Sequence, residues 1–139
     1  MEKCIFCSII SGDIPSSKVY EDDDVLAFLD ISQTTKGHTL LIPKQHVASV
    51  LEMDTELAQK TFSNLPKIAR AVQKATGTTD MNIVNNTGEL AGQTVFHAHI
   101  HLVPRYGKND GLSITYQTHE PDFAALATLA QQISKEVTE

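Results

Sequence analysis

Within FHAHIHLVPRY, residues 96–106, the run HAHIHL (97–102) alternates histidines and apolar side chains with a period of two. His97, His99 and His101 take every second position, with Ala98, Ile100 and Leu102 between them. A strand puts residues i, i+2 and i+4 on one face. The stretch therefore predicts a strand over residues 95–104, with three imidazoles on one side and an apolar row turned to the core. At a rise of roughly 3.3 Å per residue, the outer two imidazoles stand roughly 13 Å apart. Zinc–nitrogen bonds are only about 2.0–2.1 Å long, so three rings on a regular strand do not easily share one ion. Two neighbours can, as a His-x-His metal pair. Otherwise the row divides its labour.

The segment that leads into this strand, NNTGELAGQT (residues 85–94), is rich in Asn, Gly and Thr. Such residues let backbone amides approach an anion, and Thr94 adds a hydroxyl. By itself the segment reads as a hairpin loop. Beside three histidines it reads as an oxyanion or phosphate pocket. There, one imidazole can attack phosphorus and form a phospho-histidine adduct. A neighbour that titrates near roughly pH 6.5 can protonate the leaving group.

Working outward, DMNIVNN (80–86), KVYEDD (18–23), VLAFLDI (25–31) and GHTLLIPK (37–44) read as further strands, the last closed by Pro43. Ala58, Phe62, Leu65, Ala69 and Val72 recur at four-then-three spacing. They predict one main helix over 54–76, stopped by Gly77 and kinked near Pro66. CIFCSII (4–10) predicts a short N-terminal helix halted by SGDIP. Pro121 opens a C-terminal helix to about Val137, with Phe123, Leu126, Leu129, Ala130 and Ile133 on its apolar side. The pattern predicts an α+β domain: an antiparallel sheet of about five strands, one long helix, a short N-terminal helix and a C-terminal helix.

At 139 residues the chain is long enough for one domain with one core. Its formal net charge of −6 argues against a nucleic-acid polymer as the main partner, since phosphate backbones select basic surfaces. Small anionic ligands stay open, because a few amides and side chains hold them. No run approaches the roughly 18 apolar residues of a membrane span. MEKCIFCSII lacks the long apolar stretch and small-residue site of a cleavable signal, so a cytoplasmic protein is expected. Cys4 and Cys7 form C-x-x-C. A reducing cytosol disfavours a structural disulfide. The remaining readings are a redox dithiol, half of a zinc site, or two buried small apolar residues. A redox dithiol expects a strand just before it, which this pair lacks.

HAHIHLV resembles the His-φ-His-φ-His-φ-φ signature of the histidine triad (HIT) family of nucleotide hydrolases and transferases, where φ is an apolar residue. CIFCSIISGDIPSSKVYEDDDVLAFLDI, GHTLLIPKQHV and NNTGELAGQTVFHAHIHLVPR are similar, in order and spacing, to its Hint branch. The likeness covers roughly residues 4–105 of a single domain spanning 1–139. The extension from about 107 resembles the longer tails of bacterial relatives.

The resemblance implies a role for each position. His99 matches the nucleophile that takes the nucleotidyl phosphate, and His101 and His38 match accessory histidines. Asp30 matches the acid that holds the ribose hydroxyls. Ile5, Phe6, Ile9, Phe28 and Ile31 match the apolar wall around the base. Asn85, Gly92, Gln93 and Thr94 match the phosphate-side contacts. The loop is one residue longer than in the eukaryotic Hint form, which leaves Asn85 and Asn86 as alternatives. The resemblance to zinc-containing bacterial members implies a structural zinc on Cys4, Cys7, His46 and His97.

The activity implied is hydrolysis of nucleoside 5′-phosphoramidates or related conjugates of AMP or GMP, by a homodimer. The open alternatives are a zinc-stabilised nucleotide-binding regulator with little turnover, and a dinucleoside polyphosphate hydrolase.

Overall fold

The computed structural model describes residues 4–138. Five strands form one sheet: β1 (Lys18–Glu21), β2 (Val25–Leu29), β3 (Thr39–Pro43), β4 (Asp80–Val84) and β5 (Ile100–Arg105). Their order is β1-β2-β3-β5-β4, and every neighbouring pair is antiparallel. The helices are α1 (Ile5–Ser11), α2 (Thr55–Phe62), α3 (Leu65–Thr76) and α4 (Phe123–Glu136). The α+β architecture expected from the strand pattern is the one observed.

The central strands are apolar at consecutive positions because both faces of the sheet are covered. On one face Leu26 and Phe28 of β2 and Leu40 and Ile42 of β3 pack with Phe6 and Ile9 of α1. On the other, Val25, Ala27, Leu41, Ile100 and Leu102 pack with Ile68 of α3. Truncating one fully buried member, such as Leu41→Ala, costs about 2–5 kcal/mol. The register sets Leu40 opposite His101 and Leu41 opposite Ile100. His101 therefore faces the α1 side, while Ile100 and Leu102 face α3.

The single helix expected over 54–76 is two helices in tandem. Asp54 caps α2, its Oδ1 accepting from Leu57 N at 2.8 Å. The helix stops at Phe62, and α3 restarts at Leu65 with Pro66 in its first turn. Proline lacks an N–H, which the first turn of a helix does not need and an interior turn does. The buried Asn64 closes the break, donating from Nδ2 to Lys60 O at 2.7 Å. Pro66 thus begins a helix and does not kink one.

The C-terminal helix forms as expected, but none of its residues is buried. Phe123, Leu126, Leu129 and Ile133 are each at least half exposed. Among the described residues, no helix is long and apolar enough to cross a membrane.

Candidate functional site

The strand expected over 95–104 begins only at Ile100, after bends at Val95–His97. The ladder with β3 ends where Pro43 has no N–H to give. The Pro43 carbonyl is taken instead by the His97 ring, Nε2 at 2.8 Å. On the β4 side the Asn85 side chain replaces a ladder bond, Nδ2 donating to His99 O at 2.9 Å. The histidines are consequently not a solvated row. His97 is fully buried, His99 is 7% exposed and His101 is half-buried. Ala98 does turn to the core, where it packs with Val47 and Leu57.

His97 faces the N-terminal helix. A carbonyl only accepts, so Nε2 of His97 carries the proton and Nδ1 presents a lone pair. That lone pair meets Cys4 Sγ at 3.4 Å, Cys7 Sγ at 3.6 Å and His46 Nδ1 at 3.1 Å. The four ligand atoms all lie within 4.8 Å of one another and form a possible metal-binding group. Tetrahedral zinc–sulfur and zinc–nitrogen bonds imply ligand–ligand separations of about 3.3–3.8 Å, so the cluster fits that ion. The Pro43 carbonyl fixes the tautomer from behind, as such ligands require. Burial pushes the Cys7 thiol up, and Cys4 beside it adds to the rise. A cation reverses that trend by stabilising the thiolates. Burial also holds the His97 ring below the usual imidazole range.

His99 donates from Nδ1 to the carbonyl of its neighbour two residues back, His97 O, at 2.7 Å. Its Nε2 is left with a lone pair. The ring is set by edge contact with Phe6, centroids 5.1 Å apart. Phe6 also meets the edge of His97, so one aromatic ring of α1 touches both imidazoles.

His101 stands 5.0 Å from His99, centroid to centroid. Its Nδ1 lies 2.9 Å from Nε2 of His38. Thr34 N–H donates to His38 Nδ1 at 3.2 Å, so neutral His38 carries its proton on Nε2 and gives it to His101. His101 then carries its own proton on Nε2. Burial, with His99 and His38 nearby, pushes the His101 ring down to about 4. Burial lowers His38 as well, against the pull of Asp30. Asp30 Oδ2 lies 3.7 Å from His38 Nε2, and its Oδ1 accepts from Ser32 N at 2.7 Å.

The residues expected on the phosphate side divide. Gly92 N donates to Glu89 O at 3.0 Å and Gln93 N to Gly88 O at 3.0 Å, so both amides are committed within the loop. The Gln93 side chain is buried and spans the loop from Gly88 N to Ala48 O and Val95 O. Thr94 is exposed, and its amide and hydroxyl have no partner among the described residues. The residues expected to wall the base also divide. Phe6, Ile9 and Phe28 belong to the core under α1, Ile5 is half exposed, and Ile31 is 99% exposed. Asn86 lies against Gly92. Sequence reasoning missed Gln33 and Thr34, which shape the loop carrying Asp30 and His38. No periodicity marks them, because their contacts are loop hydrogen bonds.

A HIT domain family model matches residues 11–108 of the chain. The Bacillus subtilis (strain 168) protein called protein hit is 54% identical over 136 residues, spanning 96% of this chain and 94% of its own length. The adenosine 5′-monophosphoramidase hnt1 of Schizosaccharomyces pombe is 36% identical over 134 residues, spanning 96% of this chain and 98% of its own. The crystal structure of SMU.412c from Streptococcus mutans UA159 superposes with a TM-score of 0.94 at 61% identity, covering 99% of this chain and 87% of that one.

Proposed function

The chain belongs to the HIT domain family, and from that premise we propose that it is a cytoplasmic nucleotide hydrolase of the Hint type. Its substrates are nucleoside 5′-phosphoramidates and related conjugates of purine nucleoside monophosphates. The phosphoramidase relatives support this choice of substrate. The observation that carries the reading is the 2.7 Å bond from His99 Nδ1 to His97 O. In the neutral ring it commits the proton to Nδ1 and leaves the Nε2 lone pair free to attack.

In the first step His99 Nε2 attacks the α-phosphorus. A nitrogen–phosphorus bond forms to His99, the phosphorus–nitrogen bond of the substrate breaks, and the amine departs with a proton. In the second step a water oxygen attacks the same phosphorus, His99 is released, and AMP or GMP leaves with one water consumed overall. His101, neutral because of its depressed pKa, donates its Nε2–H as a hydrogen bond to the phosphoryl oxygens; the proton carried off by the amine is taken up from solvent and is returned when the attacking water loses one in the second step. Asp30 takes the ribose hydroxyls, Ile5 and Ile31 bracket the base over Phe6, Ile9 and Phe28, and Thr94 meets the phosphate with Asn85, Gly92 and Gln93 shaping its loop.

Cys4, Cys7, His46 and His97 would hold zinc, which with four protein ligands has no open position and serves as a brace. The short α1 gains most from it, since seven residues form a weak helix alone. We also take the protein to be a homodimer. The uncovered apolar side of α4 supports association, and sedimentation at micromolar concentration tests it: a single monomer species removes this part.

Rapid quenching of the protein with adenosine 5′-phosphoramidate tests the main reading. The expected result is AMP release with an acid-labile adenylyl adduct on the peptide bearing His99. Tight AMP binding without release favours the regulatory alternative. Faster cleavage of a dinucleoside polyphosphate favours the other.

A further inference from the structure

The β2–β3 loop carries two polar groups of the candidate site at its ends, Asp30 and His38. Between them stands Gln33, which among the described residues is the non-glycine residue with positive φ, at 38°. L side chains adopt that conformation rarely, because it crowds Cβ against the following carbonyl, and it persists where surroundings enforce it. Here the enforcement comes from the residue's own amide. Gln33 Nε2 donates to Asp30 O at 2.7 Å and to His38 O at 2.8 Å. Gln33 Oε1 accepts from Gly37 N at 2.8 Å. One side chain therefore joins both ends of the loop and fixes the Gly37 N–H and the His38 carbonyl on either side of the peptide that links them.

The left-handed turn at Gln33 also sets the direction of the next peptide, whose N–H is that of Thr34. That N–H points inward to His38 Nδ1 at 3.2 Å. A relaxed, right-handed residue 33 would turn the peptide away. The rest of the loop is pinned independently. Thr35 Oγ1 donates to Pro104 O at 2.6 Å, and Asp30 N donates to His38 O at 3.0 Å. Gly37, at φ 95°, leaves no room for a side chain, since a Cβ there would lie 2.7 Å from Thr76 Cγ2. The orientation of the peptide whose N–H reaches the His38 ring is thus the property left to Gln33.

We propose that Gln33 is a positioning residue: its amide holds Thr34 N–H on His38 Nδ1 and thereby keeps the proton of neutral His38 on Nε2, facing His101. The catalytic consequence rests on the proposed nucleotidyl-transfer reading. The protonation pattern is a property of the protein alone.

The test uses the full chain with Gln33→Ala, Gln33→Glu and Gln33→Gly. Glutamate keeps the length and the acceptor for Gly37 but turns a carboxylate on two carbonyls. Glycine tolerates the left-handed turn but has no amide. Nitrogen-15 NMR of labelled histidines reads which ring nitrogen of His38 is protonated, and kcat is measured on adenosine 5′-phosphoramidate. The parent is expected to show His38 protonated on Nε2. All three variants should lose that signature, and kcat should fall about 10- to 100-fold, as a small misplacement of a catalytic group produces. Circular dichroism and zinc content should stay at the parent's values. A Glu or Ala variant that keeps the signature overturns the proposal. So does a Gly variant that keeps it while Ala loses it, because the backbone turn alone would then suffice. Loss of the signature with unchanged kcat also overturns the positioning role. If the parent shows the signature but no phosphoramidate turnover, the proposed function fails, and the NMR result alone decides for Gln33.

Discussion

The His99 ring gives its Nδ1 proton to the backbone carbonyl of His97, 2.7 Å away, while the His97 ring points elsewhere, into the cysteine pair. One residue thus serves two neighbours with two different groups. Its side chain faces the possible metal cluster and its main chain fixes the tautomer of the proposed nucleophile. Anything that anchors the His97 ring therefore also anchors the hydrogen bond behind His99.

Replacing His99 with Asn or Gly should abolish turnover while leaving AMP binding near the parent value. The substitution removes a bond made only along the reaction path and few ground-state contacts. Steady-state AMP release and calorimetric AMP binding check the two halves. Near-parent hydrolysis by either variant means that another residue attacks phosphorus.

Asp30→Ala should weaken nucleoside binding by about 1–3 kcal/mol, the worth of hydrogen bonds to a charged group. A 2′-deoxy substrate should suffer a comparable loss with the parent protein and little further loss with the variant. Independent, additive losses in that double comparison would take the ribose away from Asp30.

Protein purified without chelator should carry about one zinc per chain, and Cys4→Ser/Cys7→Ser should carry none. Stripping the metal should lower the melting midpoint by roughly 10 °C or more and leave slow AMP release. Elemental analysis and thermal melts measure this. If the stripped protein melts like the parent and its activity returns only with metal, the site is a catalytic His-x-His centre instead.

The His101 ring, pushed down to about 4 by burial, makes stability pH-dependent. An unfolded histidine binds its proton near pH 6.5, and the native ring resists until about 4. Between those values the unfolded chain holds more protons, so native stability is full above about pH 6.5 and falls as the pH drops toward 4. The ring is only half-buried, so solvent screening holds the effect to about 1–2 kcal/mol. Urea titrations at pH 7.5, 6 and 5 should show a steeper decline for the parent than for His101→Gln. Parallel declines would locate the acid sensitivity elsewhere, for instance at the cysteine–histidine cluster.

Much of this was legible from side-chain periodicity. VLAFL and TLLIP form strands as their composition predicts, and Ala98, Ile100 and Leu102 turn inward as their spacing predicts. The error at Pro66 came from reading four-then-three spacing through a proline that instead begins a helix. The error at the histidines had a different origin. Alternation implies a regular strand, but pairing is decided by the partner, and Pro43 cannot pair where His97 to His99 would need it. The burial of Gln93 and the turn at Gln33 left no trace in composition, because a glutamine that spends its amide on main-chain groups looks like any polar loop residue.

The late start of β5 has a bearing on how this segment can change over time. A pleated strand would present three equivalent histidines, each replaceable by its neighbour after a slip of two. The bends before Ile100 remove that equivalence: one ring meets cysteines, one meets a carbonyl, one meets His38. Point substitutions between the rings leave their phase intact. Inserting or deleting a residue between Phe96 and Ile100 would shift it, and both centres would be lost in a single step. The segment is therefore constrained in length as well as in the buried residues between its rings.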